Sequence, residues 1–224
     1  MTNKIRSIVR LMRVKQWYKN VLMFFGIFFG GQLFNFAVYP QLLLGLILVC
    51  LVSSMNYIQN DIMDIEKDKL HEEKRKKRPL ASGDISKTQA WVIFAVLAAV
   101  EIYFIFFHYR GAFSILLVAI YVNGFLYNYV LKKTAFADII GLSMIYVWRT
   151  IAGCILIDLM ISPWLFIIVF LSATFLASAK RIADFNYLGE EKASDHKVVY
   201  EKNTKKLLEH IIIMVATSLF ICYI

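Results

Sequence analysis

Long apolar runs constrain this chain more than any other feature of its sequence. The apolar core of a bilayer is about 30 Å thick, so a helix needs roughly 20 mostly apolar residues to cross it. The regular alternation that a membrane barrel would need is absent, and helices remain as the structure that satisfies its own backbone hydrogen bonds in lipid. The sequence therefore predicts an all-α, polytopic membrane protein with seven spans, at residues 20–36, 40–60, 88–107, 112–131, 135–157, 163–179 and 207–224.

Composition agrees with this prediction, and the positions of the charges set the orientation. Of the 224 residues, 59% are hydrophobic and only 18% are charged, which excludes an ordinary soluble domain. If the N-terminus is cytoplasmic, only Arg110 of all the basic residues lies outside, and only Arg149 lies within a span. We therefore attribute the net charge of +9 to orientation and to anionic membrane lipids, and expect no nucleic-acid partner. The expected location is the cell membrane.

Two long polar segments separate the apolar runs on the cytoplasmic side. Residues 61–87 follow the second span and residues 180–206 follow the sixth, which hints at a repeat of helical halves. No linker or low-complexity tract marks a second domain, so one domain is expected over residues 1–224. The last span is scarcely complete at Ile224, which suggests a truncated C-terminus.

An Asp-rich stretch continues the second predicted span past the membrane surface. On a helix, Asp61, Asp64 and Asp68 fall within an arc of about 60°. Three carboxylates this close repel one another unless a cation neutralises them, and Mg²⁺ prefers oxygen ligands that it shares with substrate phosphates. The sequence therefore predicts a Mg²⁺ site on these three residues. The alternative is a solvated acidic face that pairs with Lys67 and Lys69.

A basic segment follows the Asp-rich stretch. Lys74, Arg75 and Arg78 precede a short turn that contains Pro79 and Gly83. Metal ions can hold one set of phosphate oxygens while Lys and Arg side chains hold the others. This succession is typical of a site for a phosphorylated, metal-bound substrate.

The spacing in this region is specific. The chain reads Asn60-Asp-x-x-Asp-x-x-x-Asp68 and then Arg78-Pro-Leu-Ala-Ser-Gly83. This order resembles the UbiA superfamily of intramembrane prenyltransferases. The resemblance extends over essentially the whole chain and implies that superfamily's helical bundle, which normally has more spans than the seven counted here.

Two further stretches are similar to one branch of that superfamily, the decaprenyl-phosphate phosphoribosyltransferases. Arg13-Val-Lys-Gln-Trp-Tyr-Lys-Asn20 is similar to the branch signature Arg-Pro-Lys-Gln-Trp-x-Lys-Asn, with Val14 in place of the proline. Ser178-Ala-Lys-Arg-Ile-Ala-Asp184 is similar to Gly-Lys-Arg-x-x-Glu, with Ala179 for Gly and Asp184 for Glu. Members that use prenyl diphosphates usually carry a second Asp-rich motif at that place.

The resemblance implies transfer of a 5-phosphoribosyl group from phosphoribosyl diphosphate to a polyprenyl phosphate at the cytoplasmic membrane face. Mg²⁺ on Asp61, Asp64 and Asp68 would act catalytically by stabilising the diphosphate leaving group. Asp184 would help to place a metal or a ribose hydroxyl. The substrate-binding residues implied are Lys15, Lys19, Asn20, Asn60, Lys74, Arg75, Arg78, Lys132, Arg149, Lys180, Arg181 and Asp184.

Structural roles remain open for some of these residues. Lys180 and Asp184 are spaced for an ion pair within one helix, and Lys15 and Lys19 suit an interfacial anchor. Arg149 lies deep in the fifth span and must face the bundle, because a bare guanidinium is costly in lipid. It can contact substrate or bridge helices.

Two other functions also remain open. A prenyltransferase would move a prenyl group from its diphosphate to an aromatic, quinone-precursor or glycerol-phosphate acceptor, and it should show the second Asp-rich motif. A non-catalytic lipid-binding protein would need neither donor. The sequence leaves homo-oligomerisation open as well.

Overall fold

The computed structural model describes residues 2–188 and 204–224. Its α-helices are α1 (Thr2–Leu11), α2 (Phe25–Phe29), α3 (Tyr39–Met63), α4 (Ile65–Leu70), α5 (Glu72–Lys77), α6 (Pro79–Ser82), α7 (Lys87–Phe107), α8 (Ala112–Tyr129), α9 (Ala135–Leu156), α10 (Pro163–Leu188) and α11 (Thr204–Tyr223). Three 3₁₀-helices are added at Val14–Phe24, Phe36–Val38 and Leu131–Lys133. Because these residues contain no strand, the predicted all-α class is confirmed.

Five helical segments in the described ranges are long and apolar enough to cross a membrane. They overlap the second to sixth predicted spans. The seventh predicted span lies mostly in α11, a helix of 20 residues that is not among the five. The five segments are Phe36–Met63, Lys87–Phe107, Ala112–Lys133, Phe136–Leu156 and Pro163–Ala183.

The first predicted span, residues 20–36, is wrong as a continuous helix. The chain there forms the 3₁₀-helix Val14–Phe24 and the five-residue α2, and then turns at Gly31, which has φ 67°. A long 3₁₀-helix is uncommon because its side chains eclipse, and this one packs against α3 and α9. A Cβ on Gly153 of α9 would overlap the carbonyl oxygen of Met23, so glycine permits the close approach.

The main core lies where α3, α8 and α9 meet the 3₁₀-helix Val14–Phe24. Leu48 and Val52 of α3 pack there with Leu117 of α8, Ala152 of α9 and Met23. Helix α10 packs between α9 and α11. Large apolar side chains also cover much of the outer surface, as expected in lipid, so the buried polar side chains are the informative ones.

The Asp-rich segment is not one continuous helix. Helix α3 ends at Met63, and Asp64, with φ −90° and ψ 8°, separates it from α4. The prediction that three carboxylates share one face of a single helix is therefore wrong. Asp61 lies in the last turn of α3, and Asp68 lies in α4.

Local sequence signals explain how the chain returns to the membrane after α4. Pro79 opens α6, where its missing N–H costs nothing, and Gly83 closes it with φ 84°. Ser86 and Gln89 form a reciprocal capping box that starts α7. The return brings Arg78 back beside the end of α3.

Candidate active site

Two of the three predicted metal ligands converge on shared cations. Asp61 and Asp68 are each only 2% exposed. Asp61 Oδ1 accepts a hydrogen bond from Arg13 Nη2 at 2.5 Å and lies 3.2 Å from Arg78 Nη1. Arg78 Nη1 also binds Asp68 Oδ2. A buried carboxylate is stable when it is paired and hydrogen-bonded, so the two arginines account for the burial of both.

Asp64 belongs to a neighbouring pair. Lys132 Nζ lies 3.3 Å from Asp64 Oδ2 and donates to Asn60 Oδ1 at 3.2 Å. Lys132 is in the 3₁₀-helix that joins α8 to α9, 72 residues from Asn60 in sequence. The fold therefore brings the predicted residues Asn60 and Lys132 together with the Asp-rich segment. We call Asp61, Asp64, Asp68, Arg13, Arg78, Asn60 and Lys132 the carboxylate corner.

Arg13 is a site residue that sequence reasoning missed. It has φ 51° and ψ 45°, a left-handed conformation that is uncommon for residues other than glycine. Besides binding Asp61, its guanidinium lies over the ring of Tyr57, 4.8 Å from the centroid. Its sequence signal was present, because Arg13 opens the basic stretch that ends at Asn20.

Glu101 was missed as well. It lies in α7, is 4% exposed, and neither of its carboxylate oxygens has a hydrogen-bond partner among the residues described. An ionisable side chain within a membrane helix is by default a functional candidate, and this signal was readable from the sequence. The structure brings no predicted site residue into hydrogen-bonding contact with it.

The chemistry of the carboxylate corner suits a divalent cation. Within residues 2–188 and 204–224, no group of three or more His, Cys, Asp or Glu side chains is arranged to hold a metal. The donor atoms that Mg²⁺ prefers are nevertheless present, since Asp61 and Asp68 meet at one guanidinium group and Asp64 and Asn60 lie beside one lysine. Arg78 lies between the two buried carboxylates and neutralises them where a metal ion would otherwise bind.

Lys180 and Arg181 have different surroundings. Arg181 Nε donates to Asp138 Oδ2 at 2.8 Å, and Arg181 Nη2 lies 2.5 Å from the same oxygen. Tyr127 donates its hydroxyl to Asp138 Oδ1 at 2.7 Å. This buried network joins α8, α9 and α10. Arg181 therefore pairs with Asp138 and bridges helices.

A cavity of about 120 Å³ lies between the 3₁₀-helix Val14–Phe24, α3, α8 and α9. Lys19 and Arg149 line it together with Asn56, Tyr57 and Tyr146. Arg149 is 5% exposed, its guanidinium lies 5.4 Å from the centre of the Tyr146 ring, and its Nε has no hydrogen-bond partner in the described ranges. We call this space the Arg149 cavity.

Lys19 lies in a positive field at the wall of the Arg149 cavity. Burial lowers the pKa of the Lys19 amine, and the charges of Arg149, Lys180 and Arg13 lower that pKa further. Lys180 therefore contributes to the same positive field as Lys19 and Arg149. These cations come from three separate parts of the chain.

The remaining predicted residues lie elsewhere or have structural partners. Asn20 is 1% exposed, and its side chain contacts Cys50 Sγ at 3.1 Å and Ser53 Oγ at 3.4 Å. Lys15, Lys74 and Arg75 are exposed and form no ion pair with the described carboxylates. The side chain of Asp184 lies outside the described residues, so its pairing with Lys180 stays a prediction.

Known proteins share both the sequence pattern and the fold. The UbiA prenyltransferase family model matches residues 20–224. Decaprenyl-phosphate phosphoribosyltransferases from Mycolicibacterium smegmatis and Mycobacterium tuberculosis are each 27% identical to this chain, over 99% of it and over 70% and 74% of their own lengths.

Solved structures agree in fold. A UbiA homolog from Archaeoglobus fulgidus, bound to DMAPP and Mg²⁺, superposes with a TM-score of 0.69 at 18% identity and covers 96% of this chain and 86% of its own. A structure of digeranylgeranylglyceryl phosphate synthase gives a TM-score of 0.70 at 20% identity, with 97% and 78% covered. Together with the apolar helices, these matches confirm the resemblance seen in the sequence. The chain is an integral membrane protein and belongs to the UbiA prenyltransferase family, an enzyme family.

Proposed function

We propose that this protein transfers a 5-phosphoribosyl group from phosphoribosyl diphosphate to a polyprenyl phosphate at the cytoplasmic face of the plasma membrane. The observation that carries the proposal is the concentration of cations beside the carboxylate corner. Lys19 and Arg149 line one cavity and form no ion pair with a carboxylate whose side chain is described, and the charge of Lys180 also acts on Lys19. The function of the relatives at 27% identity supports the same reaction.

The number of phosphate groups distinguishes this reaction from prenyl transfer. A prenyl diphosphate brings one diphosphate and an apolar tail. Phosphoribosyl diphosphate brings a diphosphate and a 5-phosphate, and its lipid acceptor brings another phosphate. A site for the second pair must neutralise more negative charge in a low dielectric, which requires more Lys and Arg side chains.

The carboxylate corner would hold the Mg²⁺ that neutralises the departing diphosphate. Asp61 and Asp68, with Asp64 and Asn60 beside them, would hold Mg²⁺, which when bound supplies charge neutralisation for the departing diphosphate. With the carboxylates neutralised, Arg78 would be released to donate to phosphate oxygens in bidentate geometry.

The protein's part in the reaction is positioning and electrostatics. An oxygen of the lipid phosphate forms a bond to the anomeric carbon of the ribose, and the bond from that carbon to the diphosphate oxygen breaks. The electron pair leaves with the diphosphate, and no proton transfer is required. No side-chain nucleophile is needed, because the lipid already carries the attacking oxygen. Arg and Lys side chains hold two anions close together and screen their repulsion.

Turnover with two matched pairs of substrates tests the proposal. Purified protein in detergent is given labelled phosphoribosyl diphosphate with a polyprenyl phosphate, or a labelled prenyl diphosphate with an aromatic acceptor. We expect labelled lipid only from the first pair, and its loss on chelation of divalent metal. Turnover of the prenyl diphosphate alone would contradict the proposal, and turnover of neither pair would favour a non-catalytic lipid-binding role.

A further inference from the structure

We propose that the Arg149 cavity is the binding site for the phosphate group of the lipid acceptor, separate from the carboxylate corner. The inference deepens the proposed function and rests on it for the identity of the acceptor. The inference places only the phosphate of the polyprenyl phosphate in the Arg149 cavity. The diphosphate of the donor is left to Arg78 and to the Mg²⁺ that Asp61 and Asp68 would hold.

Uncompensated positive charge is the first reason. Lys19 and Arg149 form no ion pair with any carboxylate whose side chain the structure describes. The side chains nearest to Arg149 in the cavity include Tyr57 and Tyr146, which carry no negative charge. A cation as deeply buried as Arg149 is costly without an acid beside it. An anionic ligand removes that cost.

Unused hydrogen-bonding capacity is the second reason. The guanidinium of Arg149 is buried, yet its Nε lacks a hydrogen-bond partner in the described part of the chain. Buried donors are nearly always satisfied by protein, water or ligand, so an unsatisfied one at a cavity wall is available to an anion. The fork of Arg donors matches the oxygens of a phosphate group.

The size of the cavity suits one phosphate group, and part of its wall is apolar. The cavity is about 120 Å³, and one water needs about 10–15 Å³ of such space, so there is room for several waters or one phosphate group. Ile120, Leu142 and Ile145 line the same cavity. A prenyl chain attached to the phosphate would pack against these apolar side chains.

Depth agrees with this assignment. Arg149 is 14 residues after Ala135, the first residue of α9, which places its Cα about 21 Å along the helix axis from that end. The cavity also reaches Tyr57, whose ring lies under the Arg13 guanidinium of the carboxylate corner, so a lipid phosphate in the cavity would lie beside the donor. The soluble donor is better suited to the carboxylate corner, where Lys132 and Arg78 are partly exposed.

Lipid binding in the absence of donor tests the inference. The probes are a short-chain polyprenyl phosphate and the corresponding polyprenol without phosphate, titrated into purified protein in detergent. Lys19→Gln and Arg149→Gln are compared with Lys133→Gln and Arg110→Gln, two exposed basic residues outside the site. We expect each site variant to bind polyprenyl phosphate about tenfold or more weakly. Polyprenol binding should not change in any variant.

Three results would overturn the inference: unchanged affinity for polyprenyl phosphate, equal weakening for polyprenol, or weakening only for phosphoribosyl diphosphate in a parallel titration. The last would assign the cavity to the donor's 5-phosphate. If Arg149→Gln loses its monodisperse elution profile, Arg149→Lys and Lys19→Gln provide the comparison. Because no donor is present in the lipid titration, its failure is distinct from failure of the phosphoribosyl transfer assay.

Discussion

The carboxylate corner and the Arg149 cavity stabilise buried charge in opposite ways. In the corner, Asp61 and Asp68 share Arg78, and Asp64 pairs with Lys132. In the cavity, Arg149 has aromatic neighbours and an unsatisfied donor, and the described residues supply no acid. The carboxylates of the corner are neutralised by Arg13, Arg78 and Lys132, so the corner is stable without a metal. A metal ion must compete with these side chains for the carboxylate oxygens. In the cavity, the proposed lipid phosphate would neutralise the charge of Arg149.

The largest expected effect is at the corner. Asp61→Asn should lower turnover by about 100-fold or more, because it removes a metal ligand and hence charge stabilisation of the leaving group. Asparagine has a similar shape and can still accept from Arg13, so membrane insertion and elution on gel filtration should be retained. Asp84→Asn, an exposed carboxylate, is the matched control. Near-normal turnover of Asp61→Asn at saturating Mg²⁺ would remove the metal-site proposal.

A second comparison separates Lys180 from Arg181. Asp138→Asn or Arg181→Gln should destabilise the protein by about 3–5 kcal/mol, because either leaves a buried charge without its partner. Thermal unfolding in detergent measures this effect. Lys180→Gln should leave the unfolding temperature nearly unchanged and should weaken substrate binding instead. A stable Arg181→Gln protein with a raised donor KM would show that Arg181 contacts the donor after all.

Arg13 sharpens the contrast between the two regions. Because its guanidinium competes with a metal for Asp61, Arg13→Gln should tighten metal binding by about threefold, a modest change since Arg13 is partly exposed and screened. Binding of Mn²⁺ measured by electron paramagnetic resonance gives the affinity directly. Arg6→Gln, on the exposed side of α1, is the control. Weaker Mn²⁺ binding would mean that Arg13 supports the metal site.

The smallest effect is expected in the exposed basic loop. Lys74→Gln and Arg75→Gln should change turnover by no more than about twofold, because exposed charges contribute little and are screened by salt. Steady-state kinetics at low and high ionic strength measure this. A large rise in donor KM for either variant would show that the loop closes over the donor.

The sequence was sufficient for the fold class because apolar length is a local property. Five long spans and the all-helical class follow from it. The same signal failed at residues 20–36, since apolar composition does not distinguish a spanning helix from the 3₁₀-helix Val14–Phe24 followed by a turn. Close packing on Gly153 depends on the tertiary arrangement.

The site was predicted in residue types more than in pairings. Asp61 and Arg13 are 48 residues apart, and Arg181 and Asp138 are 43 apart, so neither pair is visible as a helical spacing. The break at Asp64 depends on the return of the chain that places Arg78 between Asp61 and Asp68. Motif spacing predicted the Asp-rich region, and only the fold shows which cation each carboxylate holds.

Following two labels in one reaction tests the central claim most directly. Phosphoribosyl diphosphate carries one label in the ribose and a second in the diphosphate, and the protein converts it with polyprenyl phosphate before extraction into organic solvent. The account predicts that the ribose label moves to the organic phase while the diphosphate label stays in water, and that Asp61→Asn slows the transfer by about 100-fold or more. Retention of both labels in water by an active protein, which instead consumes a prenyl diphosphate, would contradict it.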